Sequence, residues 1–323
     1  MILENYMKKC FVTVAVFCTA VFSYAADPQV DSVASKEFSE KYDMLVSRLG
    51  AAGVGVETVL NGWAEVDPDN RKMLLARYSY YLAKGQKTTV VSRPGRKYLG
   101  NEPLFTLKDS SGADVRYFEE TVYDDSLFAI ALKNIDRAEA LYPLDLDISF
   151  MKANALISYE KESPDMALVC LNEIIDRYYG DRTAGWRFDG GPADDEFFTG
   201  AVQEYCYLFF NIASPVSYRA FWQLSEKMSG LEPASTVFLS NIGSYFFVVE
   251  DNPKTALKYY RKVLKIDPED YTAAKNCVLL CRRNDDIKGE LRYLPSLIAS
   301  TPDETERISA QARLDVLKKG KRK

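Results

Sequence analysis

The stretch Phe238–Pro268, FLSNIGSYFFVVEDNPKTALKYYRKVLKIDP, constrains the fold more than any other. Apolar and aromatic residues run through Phe238, Leu239, Ile242, Tyr245, Phe246 and Val249, and a breaker cluster follows at Glu250–Pro253. Beyond it, Ala256, Leu257, Tyr260, Val263 and Leu264 recur at i, i+1, i+4, i+7 and i+8, the spacing of one helical face. Asn252 suits an N-cap and Pro253 a first helical position. Asp267-Pro268 stops the second helix, because proline lacks an amide donor and disfavours helix in the residue before it. The spacing therefore predicts two short antiparallel helices. Such a hairpin exposes an apolar face unless another hairpin packs on it.

The pattern recurs. Pro268 is followed by Pro302 at a spacing of 34 and preceded by Pro233 at a spacing of 35, each closing a segment of helix-turn-helix length. A small residue early in the second helix (Ala256), a large one a turn later (Tyr260), an apolar one beyond it (Val263) and the closing Pro268 resemble the repeat of the tetratricopeptide family, a helix pair of about 34 residues. Gly243 lies one residue from the family's usual glycine. The resemblance implies an all-α superhelix of about six helix pairs, with the first helix of each pair lining a concave side.

Earlier segments repeat the pattern more loosely. Lys36–Leu49 and Val56–Val66 form a first pair closed by Asp67-Pro68, and Arg71–Lys84 opens a second. Pro68 to Pro143 spans 75 residues, one repeat plus about 41. Within residues 85–123, Thr88–Ser92 is β-branched, and Leu104–Lys108 and Ala113–Glu119 read as short strands around Asp109-Ser110-Ser111-Gly112. A β-hairpin inserted between the two helices of the second unit is expected. In the helix Asp124–Tyr142 that resumes after it, Ala131, Ile135 and Ala138 have the family's spacing. In the third unit, Ser163-Pro164 and Ala167-Leu168 parallel Asn252-Pro253 and Ala256-Leu257. Gly180–Glu196 reads as a loop by composition. Phe197–Ile212 with Pro215–Ser229 makes a fourth unit, and Tyr271–Arg283 with Asp286–Ser300 a sixth. Residues 303–319 form an amphipathic helix suited to capping the array. The basic tail beyond it reads as a solvated terminus.

Residues 7–25, MKKCFVTVAVFCTAVFSYA, have the form of a secretory signal. Lys8 and Lys9 precede an apolar run from Cys10 to Phe22, too short to span a bilayer comfortably, and Ser23-Tyr24-Ala25 offers a cleavage site. Met1 and Met7 both remain candidate starts, and from either one the segment up to Ala25 would be removed. The expectation is an exported protein, periplasmic or secreted, with no stable membrane span after cleavage.

The chemistry available is narrow. With no histidine in the chain, Ser-His-Asp, Cys-His and His-ligated metal mechanisms are excluded. There is no glycine-rich phosphate loop or dinucleotide fingerprint, and no cofactor or metal is expected. A net charge of −5 argues against a general nucleic-acid binder. Cys277 and Cys281, i and i+4 on one helix, read as small buried apolar residues rather than a redox pair. Paired carboxylates at Glu119-Glu120, Asp124-Asp125 and Asp194-Asp195-Glu196 open one alternative, a carboxylate-dependent hydrolase or lyase with the loop Asp189–Glu196 over a cleft. Two of these groups precede helices, where acids are favoured electrostatically without any catalytic role.

The resemblance points instead to a non-catalytic scaffold that binds a protein or peptide. Candidate contacts on first helices are Lys152, Tyr159, Asn241, Tyr245, Lys275, Leu279 and Arg282, where cations and amides could grip a peptide backbone or carboxylate. The family's full carboxylate-clamp set is not recoverable. Trp186 and Phe188 in the loop, and Tyr98, Phe105, Tyr117 and Phe118 in the insert, lie outside the repeat core and are free to recognise something else.

Overall fold

The structure is a computed structural model that describes residues 33–320; the signal segment lies outside the described residues. Thirteen helices occur among the described residues. They pair as α1 (Val33–Leu49) with α2 (Val56–Val66), α3 (Arg71–Gly85) with α4 (Asp125–Leu141), and α5 (Leu146–Glu160) with α6 (Asp165–Gly180). The later pairs are α7 (Asp195–Ile212) with α8 (Pro215–Leu231), α9 (Thr236–Val248) with α10 (Pro253–Ile266), and α11 (Tyr271–Arg283) with α12 (Ile287–Ser300). The last helix, α13 (Glu304–Gly320), packs on α12. Each pair also touches the next, so the chain is an all-α superhelix of six helix pairs with a small β insert.

The closing prolines act through one local device. The residue before each proline donates its N–H to the carbonyl four residues back: Asp67 to Trp63, Tyr142 to Ala138, Glu232 to Met228, Asp267 to Val263 and Thr301 to Leu297, all at 2.8–2.9 Å. Proline then occupies the second position of a turn, which its fixed φ favours. Asn70, Asp145, Ser235 and Asp270 bond back to Asp67, Tyr142, Glu232 and Asp267 at 2.9–3.3 Å. Those four residues are the N-caps of α3, α5, α9 and α11. One short motif thus ends one unit and starts the next.

Small buried residues let the second helices of units two to five sit close to their neighbours. Ala131, Ala167, Ala220 and Ala256 are buried in α4, α6, α8 and α10, each followed by a larger buried residue one turn on. The core divides within α9: Phe238 belongs to the body formed by the first four units, and Leu239 to the body formed with α10–α13.

Two segments differ from expectation. The insert is a three-stranded antiparallel sheet of order β1-β3-β2, built from β1 (Gln86–Arg93), β2 (Phe105–Lys108) and β3 (Asp114–Tyr123). The hairpin around Asp109–Gly112 is present, closed by three bonds to Asp109 Oδ1. The β-branched run is a full strand that pairs with β3 along its whole length, from Gln86↔Tyr123 to Arg93↔Arg116. The stretch 180–196 also contains a minimal hairpin, β4 (Arg187–Phe188) with β5 (Gly191–Pro192). Its turn residues Asp189 and Gly190 have φ of 49° and 75°, the left-handed pair that a two-residue hairpin turn needs.

Candidate functional site

Most of the predicted contact residues stand on helices and meet a partner on the same or an adjoining helix. Lys152 on α5 reaches Glu139 and Asp136 of α4 at 3.0 and 2.9 Å. Burial alone would lower its pKa, but the two carboxylates outweigh it and hold the ammonium well above its ordinary range. Arg177 of α6 joins the same cluster, donating to Glu139 at 2.5 Å and to Ser149 Oγ at 2.9 Å. With Glu173 and Asp176 these side chains line an open cleft of about 640 Å³. The cleft lies between the second helices of units two and three. Lys152 stands on α5, the first helix of unit three, and reaches from it into this cleft.

The remaining candidates are dispersed. Tyr159 stacks on Phe128 at 4.1 Å and donates its hydroxyl to Asp125. Asn241 pairs amide to amide with Gln203 of α7, where first helices of neighbouring units meet. Tyr245 stacks on Trp222 of α8 and donates to Glu250. Lys275 reaches Tyr271 and Glu306. Arg282 bonds Glu290 at 2.5 Å, and Arg313 of α13 grips the same carboxylate with two bonds of 3.0 and 2.9 Å. Leu279 is exposed on α11. Long side chains at a helix junction find opposite charges on the adjoining helix, a pairing that no local pattern reveals.

Trp186 is buried, at 5% exposure. Its ring packs beside Tyr178 and its Nε1–H donates to the carbonyl of Asp181 at 2.7 Å. It holds the loop onto α6 and presents no face to a ligand in this conformation. The signal that could have shown this is the Asp189-Gly190 hairpin, which folds the loop back. Arg187 completes the attachment through Asp145, which also accepts from Arg71.

The carboxylate pairs serve the helices. Asp194 and Asp124 cap α7 and α4 by accepting from Phe197 and Leu127. Asp195 accepts from Tyr178 and Arg182, which hold its carboxyl below the usual range. Glu120 is buried and accepts from Tyr98 (2.5 Å), Lys161 (2.8 Å) and Arg93 (2.9 Å). Among the described residues no group of three or more acidic or cysteine side chains could hold a metal ion. Among them, too, no helix is long and apolar enough to cross a membrane.

The insert has two unlike faces. One rests on the helices through Phe118, Glu120 and Tyr98, with Gly100 against Asn211 of α7. The alternation of β3 puts Tyr117 and Val115 on the other face, where their partners on β2 are Phe105 and Leu107. Phe105 stacks on Tyr117 at 4.8 Å yet stays 46% exposed, while Leu107 is 54% exposed and Val90 of β1, on the same face, 51%. A one-sided antiparallel sheet ordinarily turns polar residues to water. Here Phe105, Leu107, Val115 and Tyr117 form an apolar cluster on the β2 side of that face, beside the polar Ser92, Glu119 and Thr121, and the repeat core does not use it.

No protein-family model matches the chain, and no curated protein matches it. Among solved structures the chain is similar to the TPR domain of P58(IPK), with 12% identity over 88% of this chain and a TM-score of 0.31. The match spans 64% of that chain, less than two thirds of its length.

Proposed function

We propose that this protein is a non-catalytic scaffold that recognises a protein or peptide in the cell envelope, exported to the periplasm or secreted. One observation carries the reading: the insert turns Phe105, Leu107, Val115 and Tyr117 outward as an apolar cluster with no role in closing the helix array. Exposed clusters of this kind mark surfaces that bind other proteins. The acidic pairs that open the hydrolase or lyase alternative cap helices or neutralise arginines and lysines, which favours the scaffold. No cofactor is needed. Asn241 and Lys275, beside the first-helix surfaces, are the candidates for secondary contacts.

The test is photo-crosslinking in intact cells from a probe placed at Phe105, compared with one at the exposed Lys258 on α10. A discrete protein adduct from position 105 and none from position 258 supports the reading. Equal or absent adducts, with turnover of a small substrate that depends on Asp195, would replace it with an enzyme. Amino-terminal sequencing of the exported chain should begin at Ala26; an intact amino terminus would exclude signal cleavage.

A further inference from the structure

The insert also has an open edge. β3 is the central strand of the sheet, so β1 and β2 each leave one side unpaired. The β2 edge is four residues long, preceded by Pro103 and ended by Lys108, features that discourage strand addition. The β1 edge is twice as long, with no proline inside it, although it carries Lys87 and Arg93 and is followed by Pro94. Its register with β3 is unbroken, and its centre, Thr88–Val91, is entirely β-branched.

The hydrogen bonds determine which groups this edge presents. Asp124 N–H donates to Gly85 O at 2.9 Å, so Gly85 and Asp124 are a hydrogen-bonded pair continuing the β1–β3 register. Such pairs alternate along an antiparallel ladder. Lys87, Thr89, Val91 and Arg93 therefore turn their N–H and C=O groups toward β3. Gln86, Thr88, Val90 and Ser92 turn theirs outward. Residues Gln86–Val90 are all exposed, as is Ser92.

We propose that this protein forms a two-fold dimer by antiparallel pairing of the β1 edges of two copies. One register engages all four outward residues: Gln86 opposite Ser92 of the second copy and Thr88 opposite Val90, with the axis at Thr89. Shifting by one residue in either direction about the axis sets an outward residue against Lys84 in α3 or against Pro94. In the favoured register Lys87 faces Val91 and Arg93 faces Gly85, so no like charges stand opposite each other, and Arg93 is already neutralised by Glu120. The strand is thus complementary to itself in both hydrogen bonding and charge. Pairing joins two three-stranded sheets and leaves the Phe105 face open, so it is independent of what binds there.

Thr89 falls at a non-hydrogen-bonded position facing its own copy, where Cα atoms approach to about 4.5 Å, within the span a disulfide bridges. Mild oxidation of Thr89→Cys should yield a disulfide-linked dimer, and Thr88→Cys, displaced from the axis, should yield far less. The wild-type chain run alongside reports any disulfide from its other cysteines. By sedimentation velocity the wild type should shift from monomer to dimer as concentration rises. Val90→Pro, which removes an outward N–H that β3 does not use, should stay monomeric with its circular dichroism unchanged. A wild type that is monomeric at every concentration overturns the proposal, as does equal crosslinking of Thr88→Cys and Thr89→Cys. If Val90→Pro misfolds, the two cysteine variants still decide.

Discussion

Gly243 of α9 lies flat against the ring of Tyr260 in α10: a Cβ at Gly243 would sit 2.9 Å from Tyr260 Cε1 and 3.0 Å from Cζ. Tyr260 is fully buried, and its hydroxyl bonds Ser244 at 3.0 Å. The ring cannot swing aside without losing that bond and its packing. Gly243→Ala should therefore destabilise the protein by about 1–3 kcal/mol, the usual cost of overpacking. Gly200, inside α7, has nothing within 4 Å of its would-be Cβ. Gly200→Ala should stabilise by roughly 0.5–1 kcal/mol, because only the entropy of a mid-helix glycine changes. Urea titrations of the two variants should move in opposite directions.

The capping helix hangs on buried carboxylates. Glu290 is 1% exposed and joins Arg282 of α11 to Arg313 of α13. Burial pushes its pKa up, but the two arginines outweigh that and leave the carboxyl below its ordinary value of 4.5. A depressed folded pKa contributes stability that is present above the unfolded value and lost as pH falls through the folded one. Glu290→Gln should cost roughly 1–3 kcal/mol at neutral pH. The difference between wild type and variant should close under acid conditions. Hydrogen exchange across α13, followed from neutral pH downward, reads both effects.

The two faces of the insert should respond oppositely to truncation. Phe118 is 1% exposed and packs on Tyr98, so Phe118→Ala should cost about 3–5 kcal/mol. Phe105→Ala, on the outward face, should change stability by no more than about 0.5 kcal/mol. Thermal melts separate these outcomes. Comparable losses in both variants would mean that the outward face is covered in solution.

The four cysteines among the described residues are free and buried. Burial pushes the thiols of Cys170, Cys206 and Cys277 up to about 12 and that of Cys281 to about 11. Since the thiolate is the reactive form, these four should resist alkylation in the native protein at mildly alkaline pH. They should label promptly in denaturant, as peptide mapping by mass spectrometry would show.

Much of the array could be read from short-range signals. Asp267-Pro268 and Asp67-Pro68 announce helix ends because a proline's lost donor acts on its immediate neighbours. Ala256, Tyr260 and Val263 announce a buried face because helical spacing is local. The insert was only partly legible: Asp109–Gly112 is a turn within a few residues, whereas the pairing of Gln86 with Tyr123 closes a long loop. Trp186 reads as a free aromatic until the Asp189-Gly190 turn brings it against Tyr178.

The amino-acid order alone determined where each helix begins and ends and which stripe of each is oily, since backbone sterics, capping and periodicity operate within a turn or two. Tertiary structure decided which charges were already committed. Lys152 meets Glu139, Arg282 meets Glu290, and Arg313 arrives from another helix at that same carboxylate. It also decided which side of β3 faces water. Both depend on groups distant in sequence meeting at a few ångströms, a distance that only the stacked helices set.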